Sequence, residues 1–398
     1  MKHLLFLLII CATLSCKEEK GLSRTLSPLE TKDANLVPDA ELNLREMKYA
    51  KGFTTTTIGN YKLLTINSPW PKSEKVFNYV LISAEEAAKT TFDNDEYDGV
   101  IITPIEKIVA TSTTHIPALE LLDVEHTLVG FPGTDYVSSK KTRLRIDNGD
   151  IRELGKNEGI NTEVLLELRP DVVIAFGVNG TNKSMETIQN ARIPVIYNGD
   201  WVEKSPLAKA EWIKFFGILY KKEKEADSIF NTIERDYLEA KKIALKATSR
   251  PTVLCGAMYK DIWYLPNGTS AEAQFLNDAN ANYLWSDTKE TGSIPLSFEA
   301  VFDKAQSTDL WLSPSYYSSY EALEKSNSHY TQFSAFQDKK IFTFSNTTGK
   351  TGGVTYYELG MARPDLVLKD MIKICHPELL HDYETTFFKP LQIKDKKN

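Results

Sequence analysis

Apolar residues recur at three- and four-residue steps between residues 206 and 247. The pattern is most regular over 223–247, where Ala226, Ile229, Phe230, Ile233, Tyr237, Ala240 and Ala244 are separated by Lys, Glu, Arg and Asp. That is the period of an amphipathic helix with one apolar stripe. Arg250 and Pro251 follow it, and proline lacks the amide a helix interior needs. A helix of this length in mid-chain reads either as a strut joining two lobes or as a surface helix of one large domain.

The flanking patterns differ from it and resemble each other. Residues 53–57, a Gly59-Asn60 turn and residues 61–67 predict a hairpin, with a third strand at 77–82, as a small N-terminal β extension. From residue 105 short apolar runs alternate with helical ones. Strands are expected at 107–110, 126–130, 171–176 and 194–197, and helices at 116–122, 161–168 and 183–191. After residue 248 the alternation restarts, with strands at 252–257, 309–312 and 340–344 and helices at 270–276, 298–305, 356–361 and 366–374. Such alternation predicts an α/β fold of two lobes with mainly parallel sheets, joined by one long α-helix. The divisions are a first lobe with its β extension at 46–205, a helical region at 206–248 including an inter-lobe helix at 223–247, and a second lobe at 249–394. An internal echo supports two lobes. Asn161, Glu163 and Asp171 in one half match Ser297, Glu299 and Asp309 in the other, each set spanning a helix N-cap, a first-turn glutamate and the start of a buried strand.

The first residues carry a different signal. Lys2 and His3, an apolar run over 4–12, and Leu14-Ser15-Cys16 read as a secretory signal peptide over 1–15, too short to span a bilayer. Cys16 stands where a bacterial lipobox places its acylated cysteine, with Thr13 departing from the usual leucine. Residues 16–45 then form a polar, lipid-anchored tether. With Cys11 removed and Cys16 lipidated, only Cys255 and Cys375 remain, and sequence does not show whether they pair.

Composition narrows the function. A formal charge of −7 without a basic block excludes a nucleic-acid binder. GxSxG, GxxxxGK[ST], HExxH and CxxC are missing, and the six histidines are scattered, so no enzyme, cofactor or bound metal is expected. In parallel α/β sheets ligands gather beyond the carboxyl ends of the strands. The segments expected there carry Thr114 and His115, the aromatics Tyr136, Trp201, Tyr259, Trp263, Tyr316, Tyr317 and Tyr356, and the cations Lys350 and Arg363. This set suits a bulky, partly apolar, anionic ligand held between lobes. Each aromatic has core packing as its plainer reading, and His115 a structural or capping role.

Five stretches resemble the helical-backbone (class III) substrate-binding proteins of ABC importers, the family that takes up iron–siderophore complexes, haem and cobalamin. They are residues 108–115, 161–176, 206–215, 297–299 and 352–365, together covering the chain from about 100 to 375. The resemblance implies that one long helix connects the lobes and that hinge motion is small. It places Glu163 and Glu299 where carboxylates engage arginines of the permease, a role compatible with helix capping. It implies a metal chelate as ligand, a ferric siderophore first and cobalamin or haem next. The His and carboxylate quartet of direct Mn/Zn binders is not recognisable. A lipid-anchored monomer in the cell envelope of a Gram-negative bacterium, delivering to an ABC permease, is the leading reading. Lys17-Glu18-Glu19, like a surface-export tag, motivates a scavenger that hands its ligand to an outer-membrane receptor, and an enzyme on a doubly wound fold is the remaining rival. The family often breaks its helix with glycine where this chain has Tyr220-Lys221-Lys222, leaving open whether the strut starts there or runs through.

Overall fold

The computed structural model describes residues 43–92, 96–180, 183–290 and 292–394. The signal peptide, Cys16, Lys17-Glu18-Glu19 and the tether up to residue 42 lie outside the described residues.

Two sheets organise the chain. In the first, Val195–Asn198, Val172–Phe176, Ile108–Ala110, Leu128–Phe131 and Arg152–Glu153 lie side by side in that order, all parallel. In the second, Asn282–Tyr283, Thr252–Cys255, Leu310–Leu312 and Ile341–Thr343 are parallel, and Lys389–Pro390 closes the edge antiparallel. Without the edge strands Arg152–Glu153 and Lys389–Pro390, both sheets follow the order second, first, third, fourth. Their third strands, Val172–Phe176 and Leu310–Leu312, are apolar without alternation because helices cover both faces.

The internal echo has a structural cause. Asp171 opens the third strand of the first sheet and accepts the amides of Glu106 and Lys107, at 2.7 and 2.8 Å, at the head of the first strand. Asp309 does the same in the second sheet, accepting the Thr252 amide and hydroxyl, each at 2.7 Å. One carboxylate per lobe thus sets the start of the central strand pair.

The long helix runs Glu223–Ala244, ~33 Å at 1.5 Å per residue. Its apolar stripe is shared. Ala226, Phe230 and Ile233 belong to the core of the first lobe, whereas Tyr237, Ala240 and Ala244 belong to that of the second. The strut reading is therefore the right one. It starts at a break: helices Pro206–Glu211 and Ile213–Leu219 precede it, and Lys221 adopts a left-handed φ of 54°. Glycine is needed four residues earlier, since a Cβ on Gly217 would stand 2.6 Å from the Ala226 Cβ. The helix also ends before residue 247. Lys246 and Ala247 donate to carbonyls three residues back, and the Asn280 amide caps the Ala244 carbonyl.

The β extension is larger than the pattern predicts. Asn43–Arg45, Phe53–Ile58, Tyr61–Asn67, Val76–Ile82 and Gly99–Ile102 pair in sequence order, antiparallel except for the last pair. Residues 43–45, expected in the tether, are its first strand. Buried Glu211 accepts the amides of Lys48, Tyr49 and Ala50, and Glu203 those of Lys51 and Gly52, stitching this sheet to the helical region. Arg45, Lys48 and Lys62 pair with Asp227, Glu234 and Glu223 on the long helix. Among the described residues, no helix is long and apolar enough to cross a membrane.

Candidate ligand-binding cleft

Helix Thr355–Leu359 of the second lobe packs against the turn Thr113–His115 and helix Ile116–Leu121 of the first. The loops after the strands of the two sheets therefore face one another, where ligands of parallel α/β sheets collect.

The first-lobe wall is polar beneath and aromatic at its edge. Asp200 follows strand Val195–Asn198, donates its amide to Asn198 Oδ1 at 2.8 Å and accepts the Thr114 hydroxyl at 2.8 Å. The other Asp200 oxygen, Asn198 Nδ2, Trp201 Nε1 and both ring nitrogens of His115 are buried with no protein partner. Unpaired buried polar atoms cost about 1–3 kcal/mol each, so a cluster of them is a place where a ligand or ordered water completes the bonding. Burial lowers the His115 pKa, with the Asp200 charge acting the other way, so the imidazole is neutral near pH 7. The Trp201 indole lies 5.4 Å from the Phe176 ring, and its carbonyl takes the Lys209 ammonium at 3.1 Å.

The second-lobe wall is a stack of rings. Phe344 and Tyr356 lie face to face at 4.5 Å, Tyr357 is 5.2 Å from Phe344, and Tyr316 is 6.5 Å from Tyr357. Burial pushes the Tyr356 and Tyr357 phenols well up, so both are neutral. Beside the ring stack lies a pocket of about 110 Å³, lined by Pro206 and Lys209 of the helical region and by Glu272, Phe275, Tyr356, Tyr357 and Met361, among others, of the second lobe. Pockets for drug-sized ligands run to ~300–1,000 Å³, so this pocket by itself is small for such a ligand.

One second-lobe loop, residues 345–353, crosses to the first lobe. Gly349 and Gly353 lie so close to it that a Cβ would stand 2.5 Å from the Ser138 Cα and 2.1 Å from the Tyr136 carbonyl oxygen. Thr351 donates its hydroxyl to the Asp135 carbonyl at 2.8 Å, and Lys350 pairs with Asp147 at 3.0 Å. Glu358, 2% exposed, accepts the amides of Ser138 and Ser139 at 2.7 and 2.8 Å.

The structure brings Thr114, Trp201, Tyr316 and Tyr356 to the two walls. Tyr136 is 73% exposed on the first-lobe rim, and Tyr259, 67% exposed, stands on the strand Met258–Tyr259 outside the pocket lining. One expected contact is corrected. Trp263 is fully buried on the inner face of an antiparallel sheet that adds Ile262–Pro266 and Ser293–Leu296; its indole donates to the Cys255 carbonyl and packs on Trp311, Tyr330 and Phe333. His115 lies buried within the first-lobe wall, behind Thr114 and 5.8 Å from Phe216. The two expected cations already hold partners, Lys350 with Asp147 and Arg363 in two bonds to Asp365. Lys209, Tyr357 and Glu358 were not singled out. Tyr357 and Glu358 follow directly on Tyr356, and Lys209 lies one turn before Trp212 in a stretch quoted for the family resemblance, so proximity was the available signal.

Glu163 and Glu299 are exposed in the first turns of helices Thr162–Leu168 and Phe298–Ala305, capped by Asn161 and Ser297. Each helix leads into the third strand of its sheet, so the two occupy equivalent places. Hydrogen bonds from its own amide and from Ser297 hold the Glu299 carboxyl below its ordinary pKa. Cys255 and Cys375 are buried free thiols. Among the described residues, no three His, Cys, Asp or Glu side chains converge as a metal site.

A family model described as periplasmic binding protein matches residues 108–347, more than half of the chain. An uncharacterised lipoprotein of Methanocaldococcus jannaschii is 26% identical over 305 residues, 74% of this chain and 71% of that protein. Among solved structures, a possible iron-binding (periplasmic solute-binding) protein from Staphylococcus epidermidis superposes with a TM-score of 0.54 at 18% identity, covering 69% of this chain and 100% of that one. The periplasmic haem-binding protein RhuT from Roseiflexus sp. RS-1, in apo form, gives 0.53 at 18% identity, covering 69% and 99%. At these identities the structures speak for the fold.

Proposed function

The chain belongs to the periplasmic binding protein family, and we propose that it is the ligand-capturing lipoprotein of an ABC importer, taking a metal chelate between its lobes and delivering it to the permease. The observation that carries this reading is the pairing of unlike walls across one cleft. The first lobe offers buried hydrogen-bonding groups around Asp200 with Lys209 and Trp201 at the edge; the second offers the Phe344–Tyr356–Tyr357–Tyr316 stack. A chelate with an apolar, π-rich periphery and anionic groups meets both. The metal stays inside its chelator, and the protein acts by binding and release without turnover. A ferric siderophore is the first choice, with haem and cobalamin next.

Glu163 and Glu299 are the docking pair in this proposal, one per lobe, each free of internal duties beyond the first helical turn. Acylation of Cys16 tethers a monomer in the cell envelope.

The experiment is a tryptophan-fluorescence titration of the mature chain against a ferric hydroxamate, a ferric catecholate, haemin and cyanocobalamin. Saturable binding of at least one supports the proposal, with the metal-free chelators binding more weakly. Binding of none, or equal binding of metal-free chelators, overturns it.

A further inference from the structure

The unpaired atoms of the first-lobe wall have a definite chemical complement. The Thr114 hydroxyl donates to Asp200 Oδ2 at 2.8 Å and pairs with Ser112 Oγ at 2.9 Å, so one Asp200 oxygen is occupied. The Asp200 amide donates to Asn198 Oδ1 at 2.8 Å, which fixes the way the Asn198 side chain is turned. What stays unpaired among the described residues is therefore one carboxylate oxygen, Asp200 Oδ1, and two donors, Asn198 Nδ2 and Trp201 Nε1. The neutral His115 ring, next in the chain to Thr114 and within reach of the Asp200 charge, adds one donor and one acceptor. Asn198 and His115 are fully buried and Asp200 nearly so. Helix Thr355–Leu359 of the second lobe packs on the His115 turn, so this wall is covered where the two lobes meet.

Such a set discriminates between ligand groups. A carboxylate offers lone pairs to Asn198 and Trp201 but meets the Asp200 charge in a buried place, where like charges are costly. An ammonium satisfies Asp200 and leaves both N–H donors without an acceptor. A hydroxyl has a single O–H and serves only one of the two acceptors. A primary carboxamide has two N–H bonds for Asp200 and His115, and two lone pairs on its oxygen for Asn198 and Trp201.

We propose, on the chelate reading above, that Asn198, Asp200 and Trp201 form a carboxamide subsite, which selects chelates carrying an uncharged amide over those carrying a carboxylate at the same place. Anionic groups of the chelate belong instead beside Lys209, in the pocket next to the ring stack.

Matched ligands test the selection by calorimetry on the mature chain. Haemin is compared with its dipropionamide, and cyanocobalamin with its monocarboxylic acids, one position at a time. A ferric hydroxamate and a ferric catecholate are each compared with a succinamide or a succinate arm. In the chelate that binds, exchanging amide for acid at the position held against the wall should weaken binding by about tenfold or more. Asp200→Asn removes the charge and should bring the two forms to within about threefold of each other. Equal binding of amide and acid at every position, a preference for the acid, or an unchanged preference in Asp200→Asn overturns the subsite and leaves the chelate reading standing. Binding of neither form of any chelate removes the chelate reading, and the subsite with it. If Asp200→Asn does not fold, the crystal structure of the complex decides. An amide nitrogen within hydrogen-bond distance of Asp200 Oδ1 supports the subsite, and water alone at that oxygen overturns it.

Discussion

The two lobes share a plan and differ in what they place at its functional edge. Both use the same order of four parallel strands, and both tie the first strand to the third through one aspartate, Asp171 or Asp309. Beyond the strands they diverge. The first lobe buries Asn198, Asp200 and His115 with atoms left unpaired, whereas the second fills the equivalent edge with stacked rings. A repeated scaffold supplies symmetry where geometry matters, at the strand anchors and the paired glutamates. It drops symmetry where chemistry matters, at the cleft. A single ligand must then satisfy two unlike surfaces, which narrows what can close the lobes.

The largest effect is expected where symmetry is kept. Glu163→Arg combined with Glu299→Arg should abolish uptake by cells while leaving ligand affinity of the purified protein unchanged; undiminished uptake would remove the docking role. The next concerns the second lobe's interior. Trp263→Ala opens a cavity among Trp311, Tyr330 and Phe333 and should destabilise the protein by about 3–5 kcal/mol in denaturant unfolding. A well-folded variant with weakened ligand binding would return Trp263 to the cleft. Smaller still, Asp171→Ala and Asp309→Ala should each cost about 1–3 kcal/mol, because each leaves strand-end donors unpaired. Burial raises the Asp309 carboxyl, but hydrogen bonds from Thr252 outweigh it and hold the group below its ordinary value. Its contribution is thus present at neutral pH and lost as pH falls through that lowered value, and Asp309→Ala should unfold with less acid dependence than the native chain.

Much of the scaffold was legible because local periodicity decides it. The stripe from Ala226 to Ala244 and the Gly59-Asn60 hairpin are recoverable from side-chain spacing alone. Trp263 was misplaced because Ile262, Trp263, Tyr264 and Leu265 are all apolar, so the alternation that sends Trp263 and Leu265 inward leaves no polar marker. The break before the long helix was obscured because Lys221 takes the left-handed turn while the glycine serves a close contact at 217. The cleft was harder. Thr114 and Trp201 follow closely on strand ends, where that rule nominates candidates, whereas Tyr356 stands on a helix after a long loop. Lys350 was expected to face a ligand as a free cation, and only the fold shows Asp147 across the lobe boundary. Glu358 and Ser138 lie 220 residues apart, beyond the reach of any local pattern.

A double-mutant cycle across the cleft tests the central claim that both lobes grip one ligand. Trp201→Ala alters the first wall and Tyr357→Ala the second, and affinity for the best-binding chelate is measured by calorimetry for each and for the pair. Both single variants should weaken binding by roughly tenfold, the order expected for losing an aromatic contact. The double variant should fall short of the product, because losing one wall already relaxes the other's hold. Weakening by only one of the two substitutions, with the other at native affinity, would place the ligand on a single lobe and contradict the account.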